Sequence, residues 1–217
     1  MALRKEEITR KLLHLFALAM PAGIFYLPKM DYSITIPVGI LGSLLGGSVL
    51  LEWLRFRSEL VQKFFYLFFG SMLRKEEKSS TTGSTYVIAA SLLCAILFRN
   101  HLHIAFIALS LFILGDGIAA IVGLSMGKIK IGKKSLEGSV ACFLLCMVLI
   151  YGVFPALPGV LDAWGSRVPF LLAVATSLSI TVLELFPIKI GKKMVINDNL
   201  VVPILTGYVI IVLEKLL

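Results

Sequence analysis

Seven apolar segments, each close to the length that crosses a membrane, are the feature that most constrains how this chain folds. A helix needs about 20 residues to cross the hydrocarbon core of a bilayer. Backbone N–H and C=O groups in lipid have no water to bind, so a spanning segment must satisfy them internally. We therefore predict transmembrane helices over residues 12–27, 34–54, 83–98, 102–124, 137–154, 168–186 and 199–216.

Composition agrees with this prediction. The chain has 217 residues, of which 58% are hydrophobic and 16% are charged. A soluble domain of this size could not bury so much apolar surface. The sequence shows no internal repeat, low-complexity tract or soluble domain. We expect an all-α polytopic membrane protein with a single transmembrane domain, residues 1–217.

Residues 59–73, between the second and third predicted spans, form an amphipathic segment. Apolar residues recur there at helical spacing, while polar residues and glycine fall on the opposite side. This pattern predicts an interfacial helix lying on the cytoplasmic leaflet. Its role is either to anchor the chain or to form a collar around the entrance for a lipid substrate. The apolar positions are Leu60, Val61, Phe64, Phe65, Phe68 and Met72.

The basic residues alternate between the two sides of the predicted spans. Of the 21 Lys and Arg residues, 17 fall on the side of the N-terminus and 4 on the other side. By the positive-inside rule, the N-terminus is cytoplasmic and, after seven spans, the C-terminus lies on the outer or lumenal side. The net charge of +8 is therefore explained by membrane orientation, and we expect no nucleic-acid partner.

Asp116 is the most unusual polar residue, because it lies inside the fourth predicted span between Gly115 and Gly117. An aspartate at the centre of a spanning helix costs roughly 2.5–3.5 kcal/mol on insertion scales. We expect Asp116 to face a polar cleft, with its glycines allowing close approach of a backbone or ligand. The alternative is a structural ion pair with a Lys or Arg of another span.

Other polar residues gather at the predicted cytoplasmic ends of the spans, as a single site requires. The free N–H groups at the start of spans three, five and seven would also favour an anion there. Each residue taken singly also has a structural interpretation. A carboxylate at a helix end can simply reach interfacial water, and Thr82, Ser135 or Asp198 could be an N-cap with no further role. The residues are His14, Glu52, Arg55, Thr82, Gly83, Ser84, Thr85, Glu137, Ser139, Glu184, Asp198 and Asn199.

Three further patterns have a structural interpretation. The lysine-rich turn at residues 128–135 is either a phosphate clamp or a topology determinant. Cys142 and Cys146 share one helix face without a complete zinc ligand set, which favours packing. We expect His101 and His103, on the outer side, to have no carboxylate partner, and we interpret this pair as incidental.

Carboxylates and lysines at one cytoplasmic mouth suit phosphoryl or nucleotidyl transfer. These reactions depend on positioning, on neutralised phosphates and on a divalent metal, more than on a covalent nucleophile. A site at the cytoplasmic mouth would be accessible to both a soluble nucleotide and a membrane lipid.

The same residues resemble the motifs of the CTP-dependent lipid kinase family that includes dolichol kinase, phytol kinase and fungal-type diacylglycerol kinase. The resemblance covers nearly the whole chain and is most specific in residues 114–139 and in the Asp-Asn-Leu-x-x-Pro block at 198–203. Its shorter elements are Glu7, Arg10, Lys11, His14, Glu52, Arg55, Thr82, Gly83, Ser84, Thr85 and Glu184.

The resemblance implies transfer of the CTP γ-phosphate to the hydroxyl of a membrane lipid alcohol, with a divalent metal, Mg²⁺, as cofactor. A polyprenol or dolichol, a phytol-like alcohol and diacylglycerol are all acceptable substrates. The choice of CTP over ATP rests on the resemblance alone. This family is in turn similar to phosphatidate cytidylyltransferases, which join CTP to a lipid and release pyrophosphate; that activity is the alternative.

Residue roles follow as hypotheses. Asp116, Asp198 and Glu184 would hold metal, and these three together with Glu52 form the catalytic set. The identity of the base among them is left open. The predicted nucleotide-binding and phosphate-binding residues are Lys133, Lys134, Ser135, Glu137, Gly138, Ser139, Thr82, Gly83, Ser84, Asn199, Arg10, Lys11 and His14.

A lipid transporter or scaffold is the alternative from another class of protein. It would place acids throughout the membrane and on both sides. Ten of the 13 acidic residues instead fall on the cytoplasmic side or in spans near it. This distribution favours an enzyme whose active site faces the cytoplasm.

Overall fold

A computed structural model describes residues 15–70, 73, 76–165, 167–186, 188–190 and 194–216. Eight α-helices account for most of this part of the chain. They are α1 (Ala19–Lys29), α2 (Thr35–Arg57), α3 (Glu59–Phe69), α4 (Gly83–Leu97), α5 (Leu102–Ser125), α6 (Leu136–Val148), α7 (Phe170–Leu185) and α8 (Asp198–Leu216).

Two short antiparallel hairpins interrupt the helices. Strands β1 (Lys130–Ile131) and β2 (Lys134–Ser135) join α5 to α6, and strands β3 (Lys189–Ile190) and β4 (Met194–Val195) join α7 to α8. Both hairpins lie at the end of the bundle that carries the start of α6 and α8. The lysine-rich turn predicted from the sequence is the first of these hairpins.

The helical membrane fold predicted from the sequence is confirmed. Among the described residues, four helical segments are long and apolar enough to cross a membrane: Thr35–Arg57, Leu102–Ser125, Leu136–Ala156 and Asp198–Leu216. Helices α4 and α7 are apolar but shorter, with 15 and 16 residues. At 1.5 Å per residue they extend about 22–24 Å, so a bilayer around them would thin locally. The predicted first span begins outside the described residues, which contain α1.

Helix α5 forms the centre of the bundle. It packs against α1, α4, α6, α7 and α8, and its residues from Ile104 to Ile113 are buried. An apolar surface on every side suits a helix surrounded by others. Helix α2 is the opposite case, because only Pro37, Leu41, Glu52 and Arg55 are buried along it. Its remaining apolar surface is available to lipid.

The amphipathic segment is helical as predicted, from Glu59 to Phe69. Its side chains Leu60, Phe64, Leu67 and Phe68 are exposed, while Phe65 turns inward onto Arg55. An outward row of large apolar groups fits a helix in contact with the membrane. Its position at the cytoplasmic leaflet stays a prediction.

Close approach between α5 and α6 depends on glycine. A Cβ atom on Gly138 would lie 2.5 Å from the carbonyl oxygen of Ala119, and one on Gly115 would lie 2.8 Å from the Cys142 sulfur. Gly117 has open space within 4 Å instead. The glycines beside Asp116 thus have different roles, since Gly115 allows helix packing and Gly117 leaves room next to the acid.

We expect Gly138→Ala to destabilise the protein by about 1–3 kcal/mol, because the new methyl group meets backbone that cannot rotate away. Thermal unfolding in detergent measures the effect. Gly42→Ala is the matched control, since no atom lies within 4 Å of its added Cβ. Equal unfolding temperatures for the two variants would contradict the close packing of α5 and α6.

Candidate active site

A lysine and three acids from separate elements meet at one end of the bundle. Lys134 Nζ on β2 lies 3.3 Å from Glu184 Oε1 at the end of α7 and 3.1 Å from Asp198 Oδ2 at the start of α8. Asp116 on α5 interacts electrostatically with both Lys134 and Glu184. We call these four residues the carboxylate–lysine cluster. All four are among the site residues predicted from the sequence, and the fold brings them together.

The charge of Lys134 is maintained by its neighbours. Partial burial by itself lowers the pKa of this amine, but the carboxylates of Glu184, Asp198 and Asp116 outweigh burial and raise the pKa above its ordinary value. Lys134 is therefore a cation at neutral pH. Glu184 is buried, and its second oxygen, Oε2, has no hydrogen-bond partner among the described residues.

The β1–β2 hairpin positions Lys134. Gly132 has φ of 61°, a left-handed conformation that glycine adopts without strain, and it lies in the tight turn between the strands. The Glu137 carboxylate then accepts hydrogen bonds from the backbone N–H groups of Lys128, at 2.9 Å, and Ile129, at 3.0 Å. Glu137, predicted to bind nucleotide, thus holds the hairpin against α6 in this structure.

Helix α6 begins with a side-chain cap. The Ser135 hydroxyl accepts a hydrogen bond from Gly138 N at 3.2 Å, and the Ser139 hydroxyl donates to the Ser135 carbonyl at 3.1 Å. The N-cap interpretation of Ser135 is confirmed. Lys133 is exposed on the same hairpin. The role of Lys133, Ser135 and Ser139 in nucleotide binding stays a prediction.

Glu52 belongs to a second, buried polar cluster with Arg55. Glu52 Oε2 lies 2.5 Å from Arg55 Nη2, which also donates to the carbonyl oxygens of Ser80 at 2.8 Å and Glu77 at 3.2 Å. The guanidinium lies 4.6 Å from the ring centre of Phe65 on α3. The fully buried Arg55 charge is surrounded by a carboxylate, carbonyl oxygens and an aromatic ring, while its Nε and Nη1 have no hydrogen-bond partner among the described residues.

Two carboxylates bind the N-terminal N–H groups of α4. Thr82 N donates to Glu52 Oε1 at 2.9 Å, and Gly83 N donates to Glu77 Oε1 at 2.7 Å. The Thr82 hydroxyl lies 3.0 Å from that of Ser84. The donors that sequence analysis offered to a nucleotide at this helix end are therefore engaged by acids in this structure. Sequence analysis had not assigned Glu77, although it lies shortly before the Thr82 motif.

Asn199 links the two clusters. Its Nδ2 donates to the Gly83 carbonyl oxygen at 3.1 Å, and its backbone N–H donates to Asp198 Oδ1 at 3.0 Å. A Cβ on Gly83 would lie 2.7 Å from Asn199 Nδ2, so only glycine leaves space for this contact. Residues Thr82, Gly83, Ser84 and Asn199 thus lie beside the carboxylate–lysine cluster, as predicted. Arg10, Lys11 and His14 lie outside the described residues.

Glu184 and Asp198 meet at the Lys134 ammonium. Within the part of the chain that the structure describes, one group of three potential metal-ligand atoms lies within 4.8 Å of one another, and it is that of His101, His103 and Glu214. The predicted metal ligands Asp116, Asp198 and Glu184 do not form such a compact set here. Their oxygens are nevertheless ligands that Mg²⁺ prefers, and Glu184 Oε2 is a buried acceptor without a partner.

The histidine pair was wrongly interpreted as lacking a carboxylate. His103 Nε2 lies 3.6 Å from Glu214 Oε1, near the end of α8. This contact cannot be predicted from local sequence, because His103 and Glu214 are far apart in the chain and only the packing of α5 against α8 brings them together.

Comparisons with known proteins give partial matches. No family model matches the chain, and no solved structure matches it. An uncharacterised protein of Rickettsia prowazekii (strain Madrid E) is 25% identical over 201 residues, which are 91% of this chain and 90% of that protein. A probable chloroplastic phytol kinase of Triticum aestivum is 32% identical over 130 residues, which are 57% of this chain and 41% of that protein.

A second plant protein matches the chain with the same identity and coverage. Probable phytol kinase 1 of Glycine max is 32% identical over 131 residues, again 57% of this chain and 41% of that protein. The chain therefore spans about two fifths of the length of the phytol kinases that it matches.

We expect Lys134→Met to lower the free energy of unfolding by roughly 3 kcal/mol, because it leaves the buried Glu184 carboxylate without its cation. Chemical or thermal unfolding in detergent at pH 7 measures the loss. The double variant Lys134→Met with Glu184→Gln should recover much of it, since a neutral amide needs no cation. Lys133→Met, on the exposed neighbour, is the control. An additive double variant would contradict the ion pair.

Proposed function

We propose that this membrane protein is a lipid-alcohol kinase that transfers the γ-phosphate of CTP to the hydroxyl of a membrane lipid. The observation that carries the proposal is the carboxylate–lysine cluster, which combines a charged ammonium with three acids at one end of an apolar bundle. The similarity to probable phytol kinases supports a lipid alcohol as the acceptor. CTP as donor rests on the motif resemblance.

Lys134 is suited to bind the phosphates. Its ammonium is held between Glu184 and Asp198 and remains charged at neutral pH. A nucleotide entering the cluster brings negative charge that competes with these carboxylates for the same cation. Lys134 would then move from an ion pair within the protein to one with the β- and γ-phosphates, where it neutralises developing charge. Lys133 and the start of α6 supply further positive potential.

Asp116, Asp198 and Glu184 are the residues that would hold a divalent metal. They are hard oxygen ligands on three helices, and Glu184 Oε2 has no other partner among the described residues. When bound, Mg²⁺ would supply charge neutralisation at the phosphates. Once Lys134 pairs with the phosphates, these acids would be available to Mg²⁺.

The transfer step needs a proton acceptor. The lipid hydroxyl oxygen forms a new bond to the γ-phosphorus, the bond between that phosphorus and the β-γ bridging oxygen breaks, and CDP leaves. The hydroxyl proton passes to a carboxylate. Glu52 is the least suited of the four acids, because Arg55 and Thr82 N already engage its two oxygens. We assign Glu52 to positioning of α4 and leave the base among Asp116, Asp198 and Glu184.

The acceptor would reach the cluster from within the bilayer. The open space at Gly117 lies next to Asp116, and the exposed apolar side chains of α3 provide a surface for a lipid tail. A phytol-like alcohol is the first substrate to test because the plant relatives are named as probable phytol kinases. A polyprenol and diacylglycerol follow. The active site faces the cytoplasm in this proposal, where CTP is available.

The decisive assay incubates purified protein with CTP labelled in either the α- or the γ-phosphate, Mg²⁺ and each lipid in turn. We expect the γ label, and not the α label, in the lipid product. Transfer of the α label would instead identify a cytidylyltransferase. Failure to transfer either label from CTP, or the γ label from ATP, to any of the lipids would leave the transporter or scaffold alternative.

Asp116→Asn should lower the rate of transfer at least about 100-fold, because it removes a charged group from the reacting end of the site. The folded protein should still be recovered from the membrane at its usual level. Asp31→Asn, an acid in the loop between α1 and α2, is the matched control and should keep full activity. Near-normal transfer by the Asp116 variant would overturn the assignment of the site.

A further inference from the structure

We propose that His101, His103 and Glu214 form a second site, which binds a divalent transition metal of the Zn²⁺ type at the end of the bundle opposite the carboxylate–lysine cluster. The three residues offer one ligand atom each, and all three atoms lie within 4.8 Å of one another. The site is independent of the proposed kinase activity, because it shares no residue with the cluster.

The two sites lie at opposite ends of the same helices. His103 is in the first turn of α5 and Asp116 is about 20 Å further along it, at 1.5 Å per residue. Glu214 is in the last turn of α8, while Asp198 begins that helix about 24 Å away. A metal bound to His103 and Glu214 would tie the two helices together at the end where neither carries a catalytic residue.

The geometry of His103 and Glu214 is close to that of a metal site. Ligands about 2.0–2.1 Å from a tetrahedral Zn²⁺ lie about 3.4 Å apart. His103 Nε2 and Glu214 Oε1 are 3.6 Å apart, too far for a hydrogen bond but near the spacing that a shared ion imposes. His101 directly precedes α5, and its ligand nitrogen lies within 4.8 Å of the other two ligand atoms.

Two observations indicate that this group is prepared for a ligand. His103 Nε2 is buried and has no hydrogen-bond partner among the described residues, although a carboxylate lies next to it. The Glu214 carboxylate is also held in place, because Trp164 Nε1 donates at 3.1 Å to Oε1, the oxygen that lies nearest His103. An outer hydrogen bond of this kind fixes the direction of a metal ligand.

The chemistry of the ligands selects the metal. Two imidazoles and one carboxylate suit Zn²⁺ and related transition ions, whereas Mg²⁺ and Ca²⁺ prefer oxygen ligands alone. Three protein ligands leave a fourth position for water. The cation Lys29, on α1, is paired with Asp162 at 3.5 Å, which offsets part of its charge near this end of the bundle.

The test is a Zn²⁺ titration of the full chain in detergent, purified without a polyhistidine tag and treated with chelator beforehand. A chromophoric competing chelator reports binding. We expect one Zn²⁺ per chain and an increase in unfolding temperature on binding. His101→Ala and His103→Ala should weaken binding at least about 100-fold, and Trp164→Phe about 10-fold, since Trp164 only orients a ligand. Asp31→Asn should bind as the unmodified protein does.

Co²⁺ provides a readout that does not depend on the variants. The unmodified protein should give the intense visible absorption of tetrahedral Co²⁺, and Zn²⁺ should displace it. No binding at micromolar Zn²⁺, or unchanged affinity in both histidine variants, would overturn the proposal. Should either histidine variant fail to fold, Glu214→Gln and the Co²⁺ spectrum decide. Loss of lipid phosphorylation with Zn²⁺ binding intact would bear only on the proposed function.

Discussion

A buried carboxylate in an apolar bundle needs a cation, and the pairing of Glu184 with Lys134 provides it. This contact determines how three parts of the chain meet, because Lys134 comes from the β1–β2 hairpin, Glu184 from α7 and Asp198 from α8. Removal of Lys134 would leave the buried Glu184 carboxylate without its cation at low dielectric, where an unpaired ion is costly. The hairpin is consequently held at the end of the bundle, and α6 begins directly beneath it.

The same ion pairs are central to the proposed binding of phosphate. An ammonium surrounded by acids is charged but readily attracted to a stronger anion. The triphosphate of a nucleotide is such an anion, and its arrival would free the acids for other partners. In the resting structure, the single ammonium of the proposed site is paired with two of its three acids. Lys134 links structural stability to the proposed catalysis.

The second buried ion pair, between Glu52 and Arg55, has a different role. It is surrounded by the Ser80 carbonyl, the Phe65 ring and the N-terminus of α4, so it connects α2, α3 and α4. Asn199 then connects α4 to α8 through the Gly83 carbonyl. A continuous chain of polar contacts thus extends from the amphipathic helix to the carboxylate–lysine cluster.

Local patterns in the sequence determined much of this fold. The lengths of the apolar segments predicted the positions of the helices, since helix formation in lipid is compelled by the backbone itself. The unusual position of Asp116 and the lysines before Glu137 also indicated the end of the bundle where the carboxylate–lysine cluster lies, because charge in an apolar segment requires a partner. Ser135 was recognisable as a cap from its position alone.

Contacts between distant segments required the tertiary structure. The sequence did not reveal that Glu52 and Glu77 occupy the N–H groups of α4, or that Glu137 holds the hairpin. His103 and Glu214 are far apart in the chain, and the packing of α5 against α8 brings His103 Nε2 and Glu214 Oε1 to 3.6 Å. Apolar segments and helix caps depend on residues close together in the chain, so they can be predicted from the local sequence. The partner of a charge depends on which helices become neighbours, and packing of the whole bundle decides that.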